Sequence, residues 1–536
     1  MTFRFLRLFM LVCGAALAHL AMAPVPAHAG RILDPATITQ TTLPNGLRVV
    51  IKEAPSIPLV ALNVWVRAGS SDETEENNGV SHFLEHLMFK GSKKRGPGEF
   101  DLEIEGLGGL ANATTMEDAT QYYVVVAQQY ALQALEALGD MISNPTFPEE
   151  ELRRERQIIL NEVAQAAEDP QRILSEWINR LSFQSHPYRL PIAGTPQSIR
   201  QITREKIQAF YDKYYVAGNM TLVVVGAVKA AEVLPQIEAA FAGLRTGPVP
   251  ARDYSMEPIP EKVRFSTLER PVSGASLVFG FRAPGMDAKD DVCAMDVLLY
   301  ILGEQRAQSG RLNRELRQKQ NLVSAIWSDY VTLRHPGIVT FWAETEPAKL
   351  EAARAAILEQ IAQVRDTLVP DDEIQRAKML LLGVYTMDNE TYDGQAGTLG
   401  FYEAKDTYQF ALEYEERIAR VTAADIQRVA RKYLGENSYC LAVLRPKQSE
   451  GGSIATGTET RSIDPPLEGE PAPAAESTRP EEAPTPTTEG TRPEGASAPA
   501  GAQPAGEGPQ PPEGGDMQSG NQAASGATPS EAGGAE

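Results

Sequence analysis

Cysteine, tryptophan and histidine are the scarce residues of this 536-residue chain, at 3, 4 and 6. Three cysteines cannot build a disulfide framework, so any folded part must be held by its own apolar cores. Basic residues are in the minority, 50 against 71 acidic ones, for a formal net charge of −21. That balance excludes nucleic acid as the main partner, because a phosphate backbone needs a basic face. Beyond the first 23 residues there is no apolar run long enough to span a bilayer, which excludes stable membrane insertion of the body. Residues 447–536 contain no Phe, Tyr or Trp, and carry 15 acidic and 4 basic residues among Pro, Gly, Ala and Ser. Such a segment cannot bury enough apolar surface to offset its ordering entropy, so it is predicted to be a disordered tail.

The remainder is rich enough to fold. With 42% hydrophobic residues and this length, more than one domain is expected. Arg4 and Arg7 precede an apolar stretch from Leu8 to Ala23, followed by Ala27-His28-Ala29. Charge, apolar run and small-x-small site form a cleavable export leader over residues 1–29, cut after Ala29. The mature chain is therefore expected in a periplasm or outside the cell. Removing the leader removes Cys13. Cys293 and Cys440 remain, and both a bond between them and a pair of buried free thiols are open.

Between leader and tail, strand patterns alternate with helical ones. Ile38–Thr42 and Leu47–Lys52 flank Asn45-Gly46, a hairpin turn. Val60–Arg67, Tyr122–Ala127 and Leu222–Val225 read as further strands, and residues 79–90, 130–143 and 149–166 as helices. The pattern then recurs. Leu62–Ala68 resembles Leu277–Ala283 at an offset of 215, and Pro148–Arg154 resembles Pro370–Arg376 at an offset of 222. Two matches in the same order point to a duplication. The predicted organisation is a first domain over 30–245, a Pro-rich linker over 246–264 and a second domain over 265–446.

The chemistry concentrates at His82-Phe83-Leu84-Glu85-His86. Val80, Phe83, Leu84 and Leu87 give a helical apolar face, and His82 and His86, four apart, project together and can share a metal. Glu85 lies beside that face, where a carboxylate can polarise a water. Fewer than about one in a hundred chains of this composition would carry His-x-x-acid-His by chance. Two surface histidines on an amphipathic helix is the plainer alternative. A hydrolytic zinc site needs a third protein ligand. Glu155 and Glu162 share one face of the predicted 149–166 helix, and on that ground alone both readings, ligands or a solvated pair, are open. Their counterparts at the repeat offset are Ala377 and Val384, so the acids and histidines occur only in the first half.

These residues resemble the insulinase/pitrilysin family of zinc peptidases, and its shorter members above all, such as the β-subunit of mitochondrial processing peptidase and bacterial homologues. The resemblance covers most of residues 38–446, including Gly108–Thr114 and Ser309–Arg317. It implies an α+β fold of two homologous mixed α/β domains enclosing a chamber. It implies one Zn²⁺ per chain held by His82, His86 and Glu162, with Glu85 as general base and Glu155 orienting a ligand histidine. Leu110, Ala111, Asn112 and Ala113 would lie on an edge strand that pairs with a peptide substrate, and Arg317 would contact it. In self-sufficient relatives a Tyr follows that Arg by seven residues; here the position is Ser324. The departure implies a heterodimer with a homologous subunit that lacks the metal motif and holds the Arg/Tyr pair. A homodimer is the alternative, with Tyr330 or another residue compensating. The expected activity is that of an exported zinc endopeptidase acting on extended peptides. The rival from another class is a non-catalytic structural or peptide-binding subunit.

Overall fold

The structure, a computed structural model, describes residues 31–252, 254 and 257–447. The leader and the tail from residue 448 onward lie outside the described residues. In the first half the strands are β1 (Ile38–Thr42), β2 (Arg48–Glu53), β3 (Leu59–Val66), β4 (Leu110–Thr115), β5 (Thr120–Ala127) and β6 (Met220–Gly226). Its helices are α1 (Val80–Met88), α2 (Glu99–Gly106), α3 (Ala131–Ser143), α4 (Glu149–Ala166), α5 (Pro170–Ser182), α6 (Pro196–Gln201), α7 (Arg204–Tyr214) and α8 (Ala230–Ala240). The second half carries β7 (Arg264–Arg270), β8 (Ala275–Arg282), β9 (Ala325–Tyr330), β10 (Ile338–Thr345) and β11 (Tyr439–Pro446). Its helices are α9 (Lys289–Leu302), α10 (Leu350–Asp366), α11 (Asp371–Asp388), α12 (Tyr392–Lys405), α13 (Gln409–Arg420) and α14 (Ala423–Tyr433). Among the described residues no helix is long and apolar enough to cross a membrane.

The duplication is complete at the level of topology. The first sheet runs β1-β2-β6-β3-β5-β4 and the second β7-β11-β8-β10-β9. Without β1, the two orders match strand for strand. The match includes the single parallel pair in each, β2 with β6 and β7 with β11. The Asn45-Gly46 turn joins β1 to β2, with Thr42 opposite Arg48 and Gly46 at φ +98°. Only a residue tolerant of positive φ sits there without strain. Between the sheets, the second half begins with β7 at Arg264, the last residue assigned to the linker.

Burial explains why some strands read as continuous apolar runs. Every residue of β6, Met220-Thr-Leu-Val-Val-Val-Gly226, is buried, as is all of β3 after Leu59. Strands covered on both faces need no polar alternation. β5, nearer the edge, does alternate buried with half-buried residues. One cover of the first sheet is its own set of helices, with Val80, Phe83, Leu84, Leu138, Ile142 and Ile159 in a shared core.

The other cover comes from the opposite half. Ala396 and Leu399 of α12 pack with Val50, Ala61, Trp65, Val223 and Val225 of the first sheet. Reciprocally, Leu174 and Ile178 of α5 pack with Val278, Cys440, Ala442 and Leu444 of the second. The linker boundary therefore separates the sheets but not their packing. The approach is close at both places. A Cβ on Gly400 would stand 1.9 Å from Trp65 Nε1, and one on Gly280 would stand 2.8 Å from Ile178 Cγ1. Polar contacts fix the same junction. Glu403 Oε1 lies 3.4 Å from Arg48 Nε and 3.5 Å from Arg67 Nη2. The Tyr392 hydroxyl donates to Ala54 O at 2.6 Å and accepts from Ile57 N at 3.0 Å. Cys293 in α9 and Cys440 in β11 are both buried and free, which settles the open alternative in favour of two thiols.

Among the described residues, the two histidines outside the motif meet at this junction. His186, between α5 and α6, and His335, between β9 and β10, have ring centroids 5.7 Å apart, and Tyr254 of the linker stacks edge-on against each. Nearby, Asp118 accepts from the Tyr188 hydroxyl at 2.8 Å and from Arg334 N at 2.7 Å. Burial, then the neighbouring His335, lowers the His186 pKa to about 4, and burial lowers that of His335. A histidine buried in its neutral form contributes stability present above its ordinary pKa and lost as pH falls toward the folded value. Urea unfolding should therefore show stability declining from about pH 6.5 to about pH 4 by an amount on the order of 2 kcal/mol from His186. His186→Gln should flatten that segment of the profile; an identical slope in the variant would remove His186 as its source.

Candidate metal centre

The sequence of α1 writes two faces onto one short helix. Val80, Phe83, Leu84 and Leu87 are fully buried in the first core, and His82 and His86 stand on the opposite side. The helix is held at its start by Glu73, a buried carboxylate. It accepts from Gly79 N at 2.7 Å, Ser81 N at 2.8 Å and Asn78 Nδ2 at 2.9 Å, and from the Ser81 hydroxyl. An anion at an N-terminus satisfies the free N–H groups and the helix dipole together. Burial nevertheless pushes the Glu73 carboxyl up to about 7.

The imidazoles lie 4.7 Å apart, centroid to centroid. α4 brings Glu162 to them: its Oε2 is 3.9 Å from His82 Nε2 and 3.8 Å from His86 Nε2. These separations are too long for hydrogen bonds. The three ligand atoms fall within 4.8 Å of one another, the one such His/Cys/Asp/Glu group among the described residues. Two imidazoles and a carboxylate, their ligand atoms converging, fit a zinc ion that keeps a coordination position open.

The surroundings fit the same ion. Glu155, one face-repeat before Glu162 on α4, is buried. Its Oε2 lies 3.0 Å from His86 Nδ1 and its Oε1 3.2 Å from Lys90 Nζ. A proton held on Nδ1 leaves the Nε2 lone pair of His86 free toward Glu162. Burial lowers the pKa of His82 to about 3, so that ring is neutral. For His86 burial acts downward, but the Glu155 hydrogen bond and the Glu162 charge outweigh it and the pKa is raised. Glu85 is turned toward β4, where its Oε2 accepts from the Thr115 hydroxyl. Burial raises its pKa, opposed by that hydrogen bond.

The remaining expected residues are spread along the chain. Leu110, Ala111, Asn112 and Ala113 form the start of β4, an edge strand, with Leu110 72% exposed. Ala113 N donates to the Asn112 side chain at 2.8 Å. Arg317 is exposed on a π-helical turn, Asn313–Lys319. Ser324 is bonded through both N and Oγ to Glu344 O, and the Tyr330 hydroxyl donates to Pro284 O at 2.8 Å. Neither offers a free phenol near the imidazoles. Glu73, Lys90 and Thr115 were not singled out from the sequence. Each acts through a partner five or more residues away, and the one available signal was Thr115 sharing the alternate-residue face of Ala111 and Ala113.

Two tandem α/β halves, with a two-histidine, one-glutamate cluster in the first alone, define a duplicated metallopeptidase architecture. Residues 48–196 match the family described as Insulinase (Peptidase family M16), and residues 201–381 match the Peptidase M16 inactive domain. The chain belongs to this family, and the match to the domain described as inactive falls outside the His82, His86 and Glu162 cluster. An uncharacterized zinc protease of Rickettsia felis is 30% identical, over 73% of this chain and 93% of its own length. A probable mitochondrial-processing peptidase β-subunit of Arabidopsis thaliana is 28% identical, over 79% of this chain and 81% of its own. The crystal structure of a protease from Helicobacter pylori superposes with TM-score 0.72 at 26% identity, covering 76% of this chain and 99% of that one.

The Glu155 contact has a measurable consequence. Glu155→Ala should weaken zinc binding by about 10–100-fold while leaving the helices formed, measured by chelator competition and circular dichroism. Unchanged affinity would separate Glu155 from the metal centre.

Proposed function

We propose that this chain is an exported zinc endopeptidase that hydrolyses extended peptides or unfolded segments. The observation that carries the proposal is the convergence of His82 Nε2, His86 Nε2 and Glu162 Oε2 beside the Glu85 carboxylate. A non-catalytic binding subunit would have no use for a base next to three intact ligands. When bound, zinc supplies Lewis acidity that acidifies water and stabilises developing negative charge.

The protein's own groups divide the remaining work. His82, His86 and Glu162 hold one ion. Glu155 keeps the His86 ring in the tautomer that presents Nε2. Glu85 takes a proton from the attacking water and returns it to the departing amine nitrogen. The open edge of β4, at Leu110, Ala111, Asn112 and Ala113, pairs with the substrate by main-chain hydrogen bonds, which favours extended over folded targets. Export rests on the Arg4/Arg7 charge, the apolar run and the Ala27-His28-Ala29 site.

The partner is proposed from what the second half lacks. With Ser324 and the Tyr330 phenol both engaged elsewhere, the donor that would face the carbonyl oxygen is assigned to a homologous subunit that closes the chamber and cooperates with Arg317. Purified alone and with such a subunit, the chain should hydrolyse a quenched peptide appreciably only in the pair. Full activity from the isolated chain, unchanged on addition, would reject the heterodimer.

The base and the ligands separate by mutation. Glu85→Gln should reduce turnover by at least about 100-fold with zinc still bound, since the amide keeps the shape but cannot take the proton. His82→Ala and Glu162→Ala should lose zinc and activity together. Equal zinc loss in all three would make Glu85 a ligand instead.

A further inference from the structure

Thr115 is the last residue of β4 and the place where two parts of the site touch. Along this strand Ala113 and Thr115 are buried, with Ala111 half-buried beside them, and Ala111 and Ala113 pack into the core shared with α1. Thr115 is 7% exposed, and its hydroxyl donates to Glu85 Oε2. The Thr115 main-chain N–H also faces the Glu85 carboxylate and lowers its pKa. The hydroxyl is the group that holds Oε2.

The donor is itself rigidly placed. Thr115 pairs with Thr120 across the β4–β5 ladder, and Met116 N closes the following turn on Ala119 O at 2.8 Å. The Thr120 hydroxyl in turn donates to Ala68 O at 2.9 Å, just beyond β3. On the other side, the helix bearing Glu85 is anchored by Glu73. Base and donor therefore sit on two fixed elements, and the Thr115 hydroxyl spans the gap between them.

We propose that Thr115 is a positioning residue: it holds one oxygen of Glu85 so that the other can take the proton, and it ties the base to the strand on which the substrate backbone is aligned. The inference rests on the peptidase reading above. The side chain touches neither ion nor substrate; it acts through Glu85. Small errors in the placement of a reacting group are expensive in rate, up to about 100-fold for displacements near 1 Å.

The test uses the zinc-loaded full chain, with its partner if activity requires one. Thr115→Val keeps the shape and the β-branching but removes the hydroxyl, and Thr115→Ser keeps the hydroxyl. Thr115→Val should lower kcat by about 10-fold or more with KM within about twofold and zinc content unchanged. Thr115→Ser should recover kcat to within about threefold of the parent. Unchanged kcat in Thr115→Val, a change in KM alone, or an equal loss in Thr115→Ser would overturn the proposal. A second readout stands apart from activity. In crystals of the metal-free Thr115→Val protein the Glu85 carboxylate should leave its parental position; an unmoved Glu85 overturns the proposal as well. If the zinc-loaded parent and Glu85→Gln are equally inert with and without a partner, the peptidase reading fails, and the crystal comparison still decides whether Thr115 positions Glu85.

Discussion

The exchange of one helix between halves is the constraint on which the molecule depends. A sheet with apolar residues on both faces must be covered on both. Each half supplies helices for one face of its own sheet and a single helix, α5 or α12, for the far face of the other. The fit is tight enough that Gly400 has no room for a methyl group beside Trp65. Buried side chains of this kind contribute about 1.5–3 kcal/mol each, so the junction is a substantial part of the stability. The ion pairs and hydrogen bonds at Glu403, Tyr392 and Asp118 add direction to that burial.

The duplication also explains why the His/Glu cluster is confined to one half. The first half places His82, Glu85 and His86 on α1, and Glu155 and Glu162 on α4. In the second half the corresponding positions are packed instead: at the repeat offsets Val297, Tyr300 and Ile301 of α9 and Ala377 of α11 belong to a continuous core, and Val384 packs against it. A buried pair of imidazoles and carboxylates is costly unless it binds something. The first half tolerates that arrangement because α1 is pinned at Glu73 and its apolar face is anchored in the core. The second half devotes the same scaffold to packing.

Much of this was legible in the sequence, for identifiable reasons. The helix Glu149–Ala166 was bounded correctly because Pro148 and three successive acids mark its start. β3 and β6 were visible as β-branched runs, and the repeat as two short matches. The metal cluster was visible because His82 and His86 are four apart on one helix, which is local geometry. What was not legible is tertiary. An amphipathic segment such as Pro170–Ser182 presents the same stripe whichever sheet it covers, so the exchange of helices left no trace. Nor can a threonine at the end of a strand announce a partner 30 residues earlier. The thiols were undecidable for the same reason, since burial in separate elements is a property of the fold.

The exchanged helices give the connector near residues 246–263 an unusual status. Severing it would produce two fragments, each with one naked apolar sheet face and one orphan helix shaped for the other fragment. Neither piece could remain monomeric in water without covering that face. Mixed together, each carries the lid the other needs, and the linker adds effective concentration and the packing of Tyr254 on His186 and His335. The protein is thus, in physical terms, an obligate dimer of its own halves that happens to be encoded as one chain.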